Sequence, residues 1–355
     1  MEEMRSREYG IVVGSLPTGA KNKISDVPGV TVGHCTVNTD RHKTGVTVVM
    51  PCPENPFTHK LPAAAFVWNG FGKTAGLVQV EELGRIESPI ALTNTLNVGR
   101  VHDALVEYLL RRCREEGVRL TSVNPIVCEC NDATLNCIAE RAVGQEEVFA
   151  ALESASSHFS EGDVGGGKGM ICHGLKGGIG SASRVLEFDG KAYTLGVLAQ
   201  TNHGCLSDLT VGGRLIGPVL AKQVQANEAD KGSCICILAT DLPLDSRQLG
   251  RVARRLSVGL ARLGSYVGHG SGEVFLAFST ANPLSLEKAA TYPVTAFREE
   301  AIDPVFRAAA ECAEEAVLNA MFAAHTVTGW QGKTIYSLSD LWRPEFLPTT
   351  RPAGI

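Results

Sequence analysis

No run of about 18 apolar residues occurs anywhere in this 355-residue chain, so it offers no candidate for a membrane-spanning helix. Positive charge is scarce as well: 33 Lys and Arg stand against 38 Asp and Glu, for a net charge of −5. A nucleic-acid partner needs a basic face to neutralise phosphates, and this balance argues against one. Neither a Cys-x-x-Cys pair nor a His-Glu-x-x-His stretch is present, so zinc is not expected and no metal is assigned. Internal repeats, low-complexity tracts and long charge runs are missing too. Met1 to Gly10 carries Glu2, Glu3, Arg5, Arg7 and Glu8 without a long apolar stretch, so no secretory signal is expected there. The 11 Cys are scattered and odd in number; the expectation is a cytoplasmic protein with buried, reduced thiols.

What is present is ordinary globular material, 44% hydrophobic and 20% charged, with an excess of Gly at 38 residues. At roughly 150 residues per domain the length suggests about two domains. A single layered unit over residues 1–355 can equally bury a sizeable core, and that is the expectation adopted. Short apolar runs bounded by Gly, Pro or Asn predict strands at Thr44–Met50, Ala63–Trp68, Ile90–Thr93, Ile126–Cys130, Gly169–Cys172, Thr194–Gln200, Ser233–Thr240 and Glu273–Ser279. Several are apolar throughout, as strands buried on both faces are. Helical spacing predicts helices at Lys73–Leu83, Val101–Glu116, Gln145–Ser154, Leu249–Leu263 and Glu300–Ala324. Sheets covered by helices follow. Leu220 to Gly232 is polar and reads as an exposed linker.

Where that linker meets a strand, Gly232-Ser233 places a hydroxyl residue at the start of an apolar run. This layout suits self-processing: the Ser233 hydroxyl attacks the Gly232 carbonyl, and hydrolysis frees the Ser233 amine. An α-amine has a reference pKa of about 7.7–8.0, so it can act as base for its own hydroxyl. Alone, a Gly-Ser ahead of a strand is simply a turn. Gly268-His269-Gly270-Ser271-Gly272-Glu273 puts Ser271 and Glu273 two residues apart, on one face of an extended segment. Alone it is a Gly-rich hairpin, with His269 a loop residue. Asn202, in Gln200-Thr201-Asn202-His203-Gly204, is a strand-end amide able to donate to an oxyanion, or a turn residue. Glu129 lies inside an apolar strand and needs a partner, either a substrate ammonium or an internal Arg. Gly165-Gly166-Gly167-Lys168-Gly169 and Gly177-Gly178-Ile179-Gly180 have a superficial likeness to a phosphate cradle but lack the Lys-Ser/Thr ending, so a nucleotide module ranks last.

Taken in order, a larger set of segments resembles the DmpA-type aminopeptidases and β-peptidyl aminopeptidases, which are self-cleaving N-terminal-nucleophile hydrolases. The set runs from Ile24-Ser25-Asp26-Val27-Pro28-Gly29-Val30-Thr31-Val32-Gly33-His34 through Thr93-Asn94-Thr95-Leu96-Asn97-Val98-Gly99 and Gly177 to Arg184. It continues with Gln200 to Gly204, Gly232-Ser233 and Gly268 to Glu273. The resemblance implies an α+β fold, a four-layer αββα sandwich of the type shared with ornithine acetyltransferases. It implies cleavage into an α chain 1–232 and a β chain 233–355, with Ser233 as nucleophile. Ser271 and Glu273 would orient its amine and hydroxyl, Asn202 would donate to the oxyanion, and Glu129 would pair with the substrate's amino group. No cofactor is implied, and the assembly would be a homo-oligomer, a tetramer of αβ heterodimers.

One position departs from the family. Its members carry Glu-Thr-Tyr-Asp-Gly where this chain has Glu129-Cys130-Asn131-Asp132-Ala133, so Asn131 replaces a Tyr hydroxyl as a substrate-binding residue, either donating through its shorter amide or shaping the pocket for another substrate. A lost oxyanion donor can cost about 10²–10³ in rate. The reading adopted is a serine aminopeptidase acting on short peptides, amides or esters through an acyl-enzyme on Ser233. The competing readings are an acyltransferase of the ornithine-acetyltransferase type and an unprocessed, non-enzymatic scaffold.

Overall fold

The structure is a computed structural model, and it describes residues 4–224, 232–286 and 289–347. Two sheets form its centre. The first has the order β1 (Thr31–Asn38), β2 (Lys43–Met50), β5 (Ile90–Asn94), β6 (Ile126–Cys130). The second has the order β4 (Arg85–Ile86), β3 (Leu61–Gly70), β14 (Gly272–Ser279), β13 (Ser233–Thr240), β10 (Lys191–Asn202), β9 (Gly178–Phe188). Short hairpins pair β7 (Ile171–Cys172) with β8 (Leu175–Lys176), β11 (Thr210–Val211) with β12 (Arg214–Leu215), and β15 (Val327–Thr328) with β16 (Thr334–Ile335). The helices are α1 (Leu77–Leu83), α2 (Val98–Glu115), α3 (Gln145–Glu153), α4 (Gly217–Leu220), α5 (Ser246–Ala253), α6 (Leu256–Arg262) and α7 (Asp303–Ala323), followed by α8 (Leu338–Leu341).

Strand alternation builds the layers. Along β13, Ile235, Ile237 and Ala239 join Leu92, Ile126 and Cys128 of the other sheet in one apolar cluster. Cys234, Cys236 and Leu238 point the opposite way, into a cluster with Leu249 and Val252 of α5, Leu260 of α6 and Val317 of α7. On the far side, Val46, Val48 and Val127 pack against Val101 and Leu105 of α2 and Val148 of α3. Side chains two apart share a face, so every central strand is apolar on both sides and each sheet carries a helical layer. The result is the αββα sandwich, and the α+β class holds. Among the described residues, no helix is long and apolar enough to cross a membrane.

Several elements differ from expectation for identifiable reasons. Helix α1 starts at Leu77 rather than Lys73, because Ala75 exchanges backbone hydrogen bonds with Val127 along the edge of β6. The single helix expected over Leu249–Leu263 is two, α5 and α6. Asp245 caps α5, accepting from Gln248 N–H at 2.7 Å. The break redirects α6 so that Gly259 meets α7, where a Cβ would sit 2.7 Å from the Ala310 carbonyl oxygen. The strand expected at Gly169–Cys172 shrinks to β7. Strands β1 and β9 were not anticipated. The Gly-rich stretches are packing devices: a Cβ on Gly180 would lie 2.0 Å from the Ala316 carbonyl oxygen of α7, and one on Gly166 2.3 Å from Gln200 Oε1. Lys168 pairs with Asp163 at 2.6 Å. A phosphate cradle is therefore not what these glycines build.

Arg184 on β9 is fully buried and is held by Glu311 at 2.9 Å and Glu315 at 2.6 Å, both on α7. Its guanidinium also donates to the carbonyls of Val13 and Ser183, both at 2.8 Å. Arg7 joins Glu315 at 2.5 Å, which ties the N-terminal segment to the same helix. Removing the cation leaves Glu311 with no cationic partner among the described residues and Glu315 with Arg7 alone. Arg184→Ala is therefore expected to destabilise the protein by about 3–5 kcal/mol, read as a lower urea midpoint with little change in slope. An unchanged midpoint would contradict the network's structural role.

Candidate active site

Strand β13 is flanked by β10, antiparallel with Asn202 opposite Ser233, and by β14, parallel with Gly272 opposite Ser233. The Gly232–Ser233 peptide bond therefore sits where two neighbours are in register. The Gly232 carbonyl accepts from Gly272 N–H at 3.0 Å. A Cβ on Gly232 would lie 1.6 Å from the Asn202 carbonyl oxygen, an overlap no side chain can relieve. The Ser233 hydroxyl oxygen lies 3.0 Å from where a Cβ on Gly272 would stand. From the other sheet, the Cys130 thiol donates to the Ser233 carbonyl at 3.4 Å. The linker expected from Leu220 to Gly232 begins as the end of α4 and a turn; residues 225–231 lie outside the described residues.

Ser271 and Glu273 meet as expected: the Ser271 hydroxyl donates to Glu273 Oε1, and both residues are fully buried. The turn that carries Ser271 and leads into β14 is pinned by Asn69 at the end of β3. Its side-chain amide donates to the carbonyls of Gly268 (3.2 Å), His269 (3.3 Å) and Ser271. Asn69 escaped the sequence reading, because an Asn at a strand end carries no signal until its partner loop is known. His269 is a loop residue, with its ring 6.2 Å from that of Phe71.

Asn202 is gripped at both ends of its amide. Oδ1 accepts from Ile171 N–H at 2.8 Å, and Nδ2 donates to the Asn131 carbonyl at 3.1 Å. An Asn amide has two N–H donors, so a second remains for a substrate oxygen. Asn131 presents an exposed side chain whose Oδ1 accepts from Ala133 N–H at 3.1 Å. Its carbonyl, not its amide, is what reaches Asn202.

Glu129 is almost fully buried, and the internal Arg considered as its partner is not there. Oε1 accepts from Lys73 N–H at 2.9 Å and Oε2 from the Thr95 hydroxyl. Among the described residues no Lys or Arg pairs with it. Neither contact is legible in the sequence: the Lys73 donor is backbone, and the Thr95 hydroxyl meets Glu129 only because β5 and β6 pair.

Behind Asn202, Cys172, His173 and His203 bring one ligating atom each to within 4.8 Å of one another, all buried. The His173 Nδ1 lies 3.0 Å from the Cys205 carbonyl oxygen. One sulfur and two imidazoles suit soft ions in type. Spacing rules passed over them because they come from a hairpin and a strand end far apart in sequence. Burial, with His173 beside it, pushes the His203 imidazole well below its ordinary pKa.

Asp132, next to Asn131, is buried, and desolvation raises its pKa to about 6 against hydrogen bonds from Thr44, Asn136 and Asn94. In the unfolded chain it ionises near 3.8. Between those values the folded state holds more protons than the unfolded one, so this group lowers stability as pH rises from about 4 to 6. Asp132→Asn is expected to flatten that slope in denaturant midpoints taken across the range. A slope identical to the parent's would show that Asp132 does not titrate there.

With this geometry in place, the comparison with known proteins is decisive: Peptidase family S58 matches residues 22–335. The chain belongs to peptidase family S58. It is 36% identical over 358 residues to the β-peptidyl aminopeptidase BapA of Sphingosinicella xenopeptidilytica, covering 94% of this chain and 88% of that protein. Among solved structures it is similar to a Burkholderia sp. β-aminopeptidase, with 41% identity, a TM-score of 0.87 and coverage of 94% and 96%. It is also similar to the L-aminopeptidase D-Ala-esterase/amidase of Ochrobactrum anthropi, with 35% identity, a TM-score of 0.88 and coverage of 97% and 96%. That protein is described as a prototype for the serine aminopeptidases and a new variant among the Ntn hydrolase folds. Membership of the S58 family makes this chain a hydrolase of the aminopeptidase kind, on the same αββα scaffold.

Proposed function

We propose that this S58 chain is a self-processing serine aminopeptidase that releases N-terminal residues from short peptides, amides or esters. The observation that carries the reading is the Gly232–Ser233 bond, with its carbonyl on Gly272 N–H and no room for a side chain at Gly232. In the processing step Ser233 Oγ attacks the Gly232 carbonyl carbon, and the Gly272 N–H faces the oxygen on which charge develops. The C–N bond breaks, the Ser233 nitrogen takes the hydroxyl proton, and an ester joins Gly232 to Ser233. One water then hydrolyses that ester. The products are a Gly232 carboxylate and a Ser233 that carries both a hydroxyl and a primary amine.

In turnover the amine accepts the hydroxyl proton as Oγ attacks the substrate carbonyl. The proton passes to the leaving group, and water resolves the acyl-enzyme by the reverse traffic. Ser271 and Glu273, already hydrogen-bonded to each other, orient the new terminus. Asn202 Nδ2 supplies a donor to the oxyanion. Glu129, unpaired by any cation among the described residues, takes the substrate ammonium and confines cleavage to the first residue. A reducing cytoplasmic setting is the proposed location. A tetramer of αβ heterodimers is the proposed assembly.

Denaturing mass spectrometry of the purified protein is expected to give pieces of 232 and 355 − 232 = 123 residues. Ser233→Ala is expected to stay whole and inactive. A wild-type chain that hydrolyses peptides while intact would overturn the mechanism. Glu129→Gln keeps the shape but removes the charge. It is expected to lower kcat/KM for aminoacyl anilides by roughly 10–150-fold, as for a lost hydrogen bond to a charged group, while self-cleavage continues. Equal turnover of N-acetylated and free-amine substrates by the parent would remove Glu129 from its role.

A further inference from the structure

The glycines that border the site are not equivalent. Gly232 has no space for a Cβ, and one on Gly272 would stand 3.0 Å from both the Phe71 carbonyl oxygen and Ser233 Oγ. Gly72 is different. A Cβ there would meet nothing nearer than Glu129 Oε1 at 3.7 Å and the Gly272 Cα at 4.0 Å, which are ordinary contacts. Its backbone is not in the left-handed region, so conformation does not require glycine either. The residue is half-buried. It sits on the strand-to-strand crossing that leaves β3 at Gly70 and reaches the edge of β6 at Ala75. The next residue, Lys73, donates its N–H to Glu129 Oε1 at 2.9 Å. Gly72 therefore borders the gap between the carboxylate and the strand pair that carries Ser233.

We propose that Gly72 is a specificity-determining residue: its missing side chain leaves room between Glu129 and Ser233 for one extra backbone methylene in the substrate's first residue. The inference rests on the roles proposed above for Glu129 and Ser233. The substrate's amine is held at one end of the gap and its carbonyl carbon must reach Ser233 Oγ at the other. An added methylene lengthens that span by one bond of roughly 1.5 Å, and the surplus must bulge sideways. The open face of Gly72 is where it goes. A methyl group on residue 72 fills that face without disturbing the protein around it, so a three-bond first residue loses its place while a two-bond one keeps it.

The test compares glycyl- and β-alanyl-p-nitroanilide, which differ by one methylene, on the parent and on Gly72→Ala. The variant is expected to self-cleave normally and to retain glycyl turnover within about threefold. Its β-alanyl to glycyl ratio of kcat/KM is expected to fall by roughly 10–200-fold, the discrimination one methylene gives in a pocket, with the change mainly in KM. Equal losses on both substrates, or none on either, would overturn the assignment. Calorimetric binding of glycinamide and β-alaninamide gives a readout that does not depend on turnover. If the parent is uncleaved and turns over neither anilide, the proposed function fails, and the binding data then judge Gly72 alone. A selective loss of β-alaninamide binding in Gly72→Ala upholds the inference; any other pattern, including no binding of either amide to the parent, overturns it.

Discussion

The Gly232–Ser233 peptide bond is clamped from both sides by backbone, and the rest of the site is arranged around that clamp. The Asn202 carbonyl closes on Gly232 from β10, and the Gly272 N–H reaches the Gly232 carbonyl from β14. Strand pairing is a repeating, cooperative constraint, so residue 233 cannot shift without breaking register with two neighbours at once. The same pairing positions the supporting side chains. Asn202 is opposite Ser233 on one flank, and Ser271 and Glu273 bracket Gly272 on the other. A proposed nucleophile at the first residue of a central strand thus has its helpers delivered by the sheet rather than by mobile loops.

The second sheet contributes the other half. Strand β6 brings Glu129 and Cys130 to the same end of the sandwich, with the Cys130 thiol on the Ser233 carbonyl. Burial and the nearby Glu129 charge push that thiol well above its ordinary pKa, so it stays a neutral donor. Glu129 is buried yet satisfied by a backbone N–H and a hydroxyl, which hold its geometry while leaving it without a Lys or Arg partner among the described residues. Under the proposed function this arrangement matters, because a buried carboxylate that no Lys or Arg among the described residues pairs with is where an arriving ammonium would be held.

The apolar layers explain why the scaffold tolerates this. The middle cluster joins both sheets, while α5, α6 and α7 cover one outer face and α2 and α3 the other. Close approach between layers falls to glycine, as at Gly180 beneath α7 and Gly166 beneath Gln200. The high Gly content therefore serves packing as much as turns.

Sequence alone determined the local elements and the chemistry available to them. Apolar runs bounded by turn residues located β2, β5, β6, β13 and β14, because a strand buried on both faces leaves a continuous signature. Ser233, Ser271, Glu273 and Asn202 were legible as reactive types at strand ends and Glu129 as a carboxylate inside a strand, and only their joint order suggested a common site. Strand β9 was not legible, since its Gly and Ser reflect the helix lying on it rather than any strand propensity. Asn69, Thr95, the Lys73 N–H and the open face of Gly72 belong to the tertiary structure alone. Each acts on a residue distant in the chain, and one-dimensional spacing holds no record of which backbone a side chain will meet.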